Sequence, residues 1–406
     1  MKSKYNMVRL GDFVQQVRGV SYGKDDISDL ENEGYIPILR ANNIQNFKLV
    51  DKDFVFVKSN IIKDEQIVKK GDILVATSSG SKEIVGKSAQ AKVDLGYGFG
   101  AFCKLLRANG ELTPDFLAYY LMTDYYRNTI SNIVCGANIN NMRNEHIDEL
   151  LIPLPSIKGQ NKIVDILSKS QELIDKRKEQ IEACDELIKG LFYDMFGDPA
   201  NNSKGWEYVN FGDVIDILTD YHANGSYEIL RKHVQLLDKE NYALMIRTTD
   251  LENKVFNKDV KYITKEAYEF LSKTKVYGGE IIINKIGSAG NVYLMPYLNR
   301  LVSLGMNQFM IRLNEKINTV FIYRLLTSKY GGLEISKRVQ GAVTKTITKD
   351  AVRSIPIILP PIHLQNQFAN KVQKIEQQKS LMQQSLTQLE NNFNSLMQRA
   401  FKGELF

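Results

Sequence analysis

At 406 residues, with 43% apolar and 25% charged residues, the chain is too long for one core and is composed like an ordinary globular protein. No stretch approaches the roughly 18 apolar residues of a membrane-crossing helix, and the N-terminal MKSKYNMVRLGDF lacks the apolar run of a secretory signal. The net charge of +6 permits a polyanionic partner without demonstrating one. Cys103, Cys135 and Cys184 lie too far apart for a disulfide framework or a zinc set and suit free thiols in a reducing cytoplasm.

In chain order the sequence runs through one programme twice. VRLGDFVQQV at 8–17 is answered by VNFGDVIDIL at 209–218, both strand-like. YIPILRANNI at 35–44 and YALMIRTTDL at 242–251 each end an alternating segment on an arginine, Arg40 or Arg247. VKKGDILVATSSG at 68–80 and VYGGEIIINKIGSAG at 276–290 follow. In both, a glycine–acid turn leads through apolar β-formers to a small polar loop, the pattern of a strand delivering a loop to a surface. A second strand follows (FCKLLR at 102–107, FMIRL at 309–313), then one short helix over 113–130 or 318–335. A polar loop over 136–150 or 341–355 then precedes an apolar strand ending in Leu-Pro.

That strand feeds the most regular stretch of each copy. Leu167, Ile174, Ile181 and Ile188 recur every seven residues, with Leu191 on the offset row. In the second copy Val372, Leu386 and Phe393 continue one row, and Leu389 and Leu396 lie on the other. A seven-residue apolar repeat marks a helix that lies along another long helix. At about 1.5 Å per residue each helix is roughly 60 Å long. Pro155 and Pro360, and Phe196 and Phe401, each stand 205 positions apart (360 − 155 and 401 − 196), so no gap falls inside the repeat. The expected architecture is α+β, with two β-rich domains (1–155 and 199–360) separated by a pair of long antiparallel coiled-coil helices (156–198 and 361–406). The internal duplication would be pseudo-twofold. An axis between Ile181 and Leu386 would set Arg177 against Glu390; otherwise Arg177 lies at the coil edge.

Catalytic constellations are missing. No GxxxxGKS/T loop, HExxH pair or GxSxG elbow occurs, and His146, His222, His233 and His363 have no metal-ligand spacing. GYGFG at 96–100 could pass for a cofactor loop, but a strand follows it at once and VSLGMNQ in the second copy lacks the glycines, so it reads as a plain loop. Binding remains. The delivered loops carry Arg40, Asn42, Asn43, Thr77, Ser78, Ser79, Lys82, Lys87, Asn138, Asn140, Asn141 and Arg143 in the first copy. In the second they carry Arg247, Thr248, Thr249, Lys285, Ser288, Asn291, Thr344, Lys345, Thr346 and Lys349. Arg and Lys read guanine edges, Asn reads adenine, and Ser and Thr position against phosphate. Composition alone leaves ordinary solvated loops equally open. Comparable loops at the same station with different residues (TSSGSKE against KIGSAGN) favour two readers of two short DNA sequences.

The pattern resembles the specificity subunit of Type I restriction–modification systems over the whole chain. The resemblance rests on LIPLPSIKGQN and PIILPPIHLQN leading into the helices, on Gly71–Leu74 and Gly279–Ile282, and on FGD and FKGEL closing them. Gly159 and Leu364 stand where the family usually has Glu, which weakens the helix cap locally. The resemblance implies two target-recognition domains in a subunit without catalysis of its own. Each would read half of a bipartite double-stranded DNA site. The helices would set the spacer and dock two methyltransferase subunits, and restriction subunits would join that complex. S-adenosylmethionine, ATP and Mg would be bound by those partners, and no metal by this chain. The competing expectations are a stand-alone DNA-modifying enzyme and a coiled-coil protein-interaction scaffold.

Overall fold

The structure, a computed structural model, describes residues 3–133 and 140–405. The α+β chain forms two compact units, residues 1–179 with 384–406, and residues 180–383. The two long helices are Ile157–Phe196 and Ile362–Lys402, and each unit holds part of both.

The first unit is built on a four-stranded antiparallel sheet in the order Ser88–Gln90, Ile73–Ala76, Cys103–Ala108, Val14–Arg18. In the second unit the order is Val292–Leu294, Ile281–Asn284, Gln308–Leu313, Ile215–Asp220. These strands come from matching places in the two copies. Ile73–Ala76 and Ile281–Asn284 are central and wholly buried, which is why they read as unbroken apolar runs rather than alternating ones. The Gly-acid turn before each has a structural task. Gly71 and Gly279 take positive φ of 91° and 83°. The acid is then buried: Asp72 accepts from Lys69 N and from Nε and Nη2 of Arg107. Glu280 likewise accepts from Tyr277 N, Gly278 N and Arg312.

A second sheet also repeats. Gly98–Phe99 runs parallel to Tyr35–Leu39, which pairs antiparallel with Val55–Lys58. In the second unit Val302–Leu304 runs parallel to Ala243–Ile246, which pairs antiparallel with Lys261–Ile263. The fourth strand differs. Ile27–Ser28 lies outside Val55–Lys58 in one unit, and Lys275–Val276 outside Val302–Leu304 in the other. The GYGFG stretch therefore contains a strand where a loop was expected. A Cβ at Gly98 would come within 2.7 Å of Ile38 Cδ1, so that glycine serves close packing.

Each single helix expected after the second strand is in fact a pair: Pro114–Tyr120 with Asp124–Ile133, and Thr319–Thr327 with Lys329–Ser336. The break is a hydroxyl cap inside the run. Thr123 Oγ1 accepts from Tyr126 N, and Ser328 Oγ from Gly331 N, both at 3.2 Å, so each restarts a helix. The polar loops expected over 136–150 and 341–355 contain the short helices Asn144–Asp148 and Lys349–Arg353.

The long helices run antiparallel, as the heptads predict. In the first unit Lys178 meets Glu390 at 3.1 Å, while further along Tyr119 touches both Ser168 and Phe393. In the second unit Asp185 meets Lys379 at 2.5 Å, and Phe192 and Phe196 pack on Phe368. Leu167, Ile174, Ile188, Val372, Leu386 and Phe393 are buried; Ile181, Leu191, Leu389 and Leu396 are half-buried. Glu390, expected opposite Arg177, takes an ion pair from the next residue, Lys178. Lys379 pairs with Asp185.

The heptads alone miss the helix ends, which enter the cores. Phe196 lies 4.7 Å from Phe321 in the second unit, and Phe401 lies 5.0 Å from Phe116 in the first (ring centroids). These are the same pair in the two copies, but the helix end in the first unit comes from the far end of the chain. Lys4 N donates to Lys402 O there, closing the first unit with the last helix.

Candidate nucleic-acid interface

In the first unit the two polar loops meet. Ser78–Ser79 pairs antiparallel with Asn140–Asn141, and Met142 N donates to Thr77 O. Ser78 and Ser79 are half-buried, while Lys82, Lys87, Asn141 and Arg143 are exposed around them. The 81–87 loop is tied down by Arg127, whose guanidinium donates to Glu83 O and Val85 O. Asn138 lies outside the described residues, as does Cys135.

Two residues from this set are committed to the frame. Thr77 is buried and donates its hydroxyl to Phe102 O. Asn43 is fully buried; it accepts from Arg40 N and donates to Val50 O and Lys52 O, so its amide shapes the turn. Asn42 beside it is exposed. Arg40 donates through Nη2 to Asp53 O at 2.5 Å, and its buried Nε makes no hydrogen bond.

The second unit repeats the meeting of loops with other residues. Gly287 N donates to Lys345 O, Ile347 N to Lys285 O, and Ile286 bridges to Thr346. Asp220 holds two of the predicted lysines, Lys285 at 2.9 Å and Lys349 at 3.3 Å. Burial alone would raise the Asp220 carboxyl, but the Lys285 hydrogen bond and the two ammonium charges together hold it below the usual carboxylate value. Thr249, Asn291, Thr344 and Lys345 are exposed.

Arg247 sits where Arg40 sits in the first unit, and it too donates to a carbonyl, that of Asp259. Here the turn carries an acid. Asp250 accepts from Arg247 N, Nε and Nη2, so this guanidinium is neutralised within the frame. Thr248 and Ser288 belong to a polar network around the fully buried Asn284, whose Nδ2 donates to Ser288 Oγ and Tyr293 OH. Ser288 and Tyr293 in turn donate to the exposed Glu252. Sequence reading missed Asp220, Glu252, Asn284 and Tyr293. Asp220 and Lys285 stand 65 residues apart, and no local pattern reports such a pair.

Among the described residues no cluster of His, Cys, Asp and Glu could hold a metal ion, and no helix is long and apolar enough to cross a membrane.

The chain was compared with known proteins. It is 28% identical over 415 residues to the Type I restriction enzyme StySPI specificity subunit of Salmonella potsdam, covering 96% of this chain and 86% of that protein. It is 26% identical over 409 residues to the EcoKI specificity subunit of Escherichia coli, with the same coverage. Among solved structures, the S subunit of a Type I restriction–modification system from M. genitalium superposes with a TM-score of 0.55 at 17% identity, covering 99% of this chain and 97% of that one. A chain from a structure that addresses complex assembly and conformational transition of the type I R-M system gives 0.60 at 16% identity, covering 99% of this chain and 98% of that one. The structural likenesses establish the fold, and the family model for the Type I restriction modification DNA specificity domain matches residues 2–183 and again 203–391, so the chain belongs to that family and carries its domain twice.

Proposed function

We propose that each unit reads one half of a bipartite duplex DNA site, and that the chain performs no chemistry itself. The observation that carries this reading is the pair of equivalent loop surfaces. Both units present loops at the same stations of the same sheets, yet Ser78, Ser79 and Asn141 occupy one and Lys285, Asn291 and Lys345 the other. A constant frame with changed donors and acceptors is what two different base sequences require. The long helices fix the spacing of the halves and dock two methyltransferase subunits, to which restriction subunits add. S-adenosylmethionine, ATP and Mg belong to those partners.

Sequencing the methylated adenines of the host with and without this gene tests the reading directly. A bipartite motif that disappears on deletion supports it and gives both half-sites with their spacer. Methyl transfer from labelled S-adenosylmethionine by the purified chain alone would overturn it in favour of a stand-alone enzyme. An assembled complex whose gel shift ignores DNA sequence would point instead to a protein-interaction scaffold.

A further inference from the structure

The chain crosses from one sheet to the other through a tight turn that recurs in both units. In the first it is Gly100–Cys103, closed by Cys103 N donating to Gly100 O at 2.9 Å. It follows strand Gly98–Phe99 and precedes strand Cys103–Ala108. In the second it is 305–308, between Val302–Leu304 and Gln308–Leu313. Gly100 N donates to Leu39 O and Gly305 N to Ile246 O, so each turn begins beside the strand that runs into Arg40 or Arg247. The far side of each turn is held by the delivered loop. Phe102 O accepts from Thr77 N (2.8 Å), Ser78 N (3.2 Å) and Thr77 Oγ1 (3.0 Å). Asn307 O accepts from Lys285 N at 2.7 Å.

Phe102 and Asn307 therefore occupy one station, the second tip position of the turn. Both point away from the cores. Phe102 leaves 70% of its surface in solvent, and Asn307 is exposed. A lone exposed apolar side chain is ordinary. This one is set apart by a carbonyl pinned by three donors and by its place between the arginine strand and the loop surface. Its equivalent is held differently: Asn307, with one donor on its carbonyl, adopts a left-handed backbone with φ of 65°, which Asn tolerates better than most residues.

Resting on the recognition role argued above, we infer that this station makes a direct base contact in each half-site. Phe102 packs on the C5-methyl of a thymine, and the Asn307 amide pairs with an adenine. The thymine methyl is the apolar group that duplex DNA displays on its major-groove base edges. The Asn amide matches the adjacent acceptor and donor of adenine N7 and N6. Anchoring the backbone at both sides of the turn leaves only side-chain rotamers, and not the chain itself, to be ordered on binding, which favours readout over mere contact.

The test uses the assembled complex, with its methyltransferase subunits, in competition binding on duplexes carrying the bipartite site. Each thymine of the half read by the first unit is replaced in turn by deoxyuridine, which removes only the methyl. The wild-type complex should lose several-fold affinity at one position. Phe102→Ala should bind thymine and deoxyuridine duplexes equally there, while its discrimination in the other half is unchanged. Asn307→Gly, which keeps the left-handed backbone, should lose about 10-fold or more of its preference for one adenine. Both variants should melt like the wild type, because the altered side chains are exposed. Phe102→Ala that still distinguishes thymine from deoxyuridine, or weakens both equally as a stacking wedge would, overturns the thymine contact, as does a half-site without an A·T pair. Asn307→Gly with every base preference intact overturns the adenine contact. A wild-type complex that binds scrambled duplex as well as the site sinks the recognition role itself, and this inference with it.

Discussion

Gln160 and Gln365 give the repeated Leu-Pro…Gln-Asn signature its physical meaning. Both are fully buried at the start of a long helix. Gln160 accepts from Thr113 N at 2.8 Å and donates to Glu111 O and Pro155 O. Gln365 accepts from Asn318 N at 2.7 Å and donates to Lys316 O and Pro360 O. One amide thus satisfies three backbone groups that helix and loop would otherwise leave unpaired. Gln160→Leu should cost about 1–3 kcal/mol, read as a lower urea midpoint, because buried backbone groups lose their partner. Asp220 supplies a pH-dependent counterpart. Its folded value is depressed, so its ion cluster contributes fully above the unfolded carboxylate value of about 3.9 and loses that contribution as pH falls through the folded value. Melting curves of the wild type should therefore drop more steeply below about pH 4 than those of Asp220→Asn. At neutral pH the variant should be the less stable of the two.

At the scale of elements, the long helices do two jobs, and only one of them is heptad-like. Their middle sections follow the seven-residue rows, with Ile174 and Leu386 buried and charged pairs such as Lys178–Glu390 at the flank. Such half-exposed pairs are worth about 0–1 kcal/mol each and tune register more than stability. The ends act as core elements. Phe196 is fully buried among Phe192, Phe321 and Phe368. Phe196→Ala should destabilise the second unit by about 3–5 kcal/mol, and Phe401→Ala should do the same to the first. Equal effects of the two truncations, followed by denaturant unfolding, would show that each unit depends on its borrowed helix end. A first unit unaffected by Phe401→Ala would mean that the last helix is dispensable to it. The periodic rows were legible because heptads are local. The split helices over 114–133 and 319–336 were not, because a single Thr or Ser hydroxyl decides whether a helix continues or restarts.

For the whole molecule, duplication predicts independent readout. Exchanging residues 1–155 for the corresponding domain of another family member should change one half of the methylated motif and leave the other untouched, as read by methylome sequencing. A change in both halves or in neither would refute independence. Binding of the complex should weaken steeply with salt, since phosphate contacts supply much of the affinity. The sequence by itself determined the twofold repeat, the central strands and the paired long helices. Each follows from residue spacing: 2 or continuous for strands, 7 for the coil, and 205 between copies. It also named loops that do come together. Only the tertiary structure decided which of their side chains remain available. Asn43, Thr77 and Arg247 are consumed by the frame, Arg40 keeps a guanidinium with no acid beside it in its turn, and Phe102 stands exposed on a turn whose carbonyl is clamped. Those outcomes depend on donors and acceptors brought together across tens of residues, and periodicity carries no record of such partners.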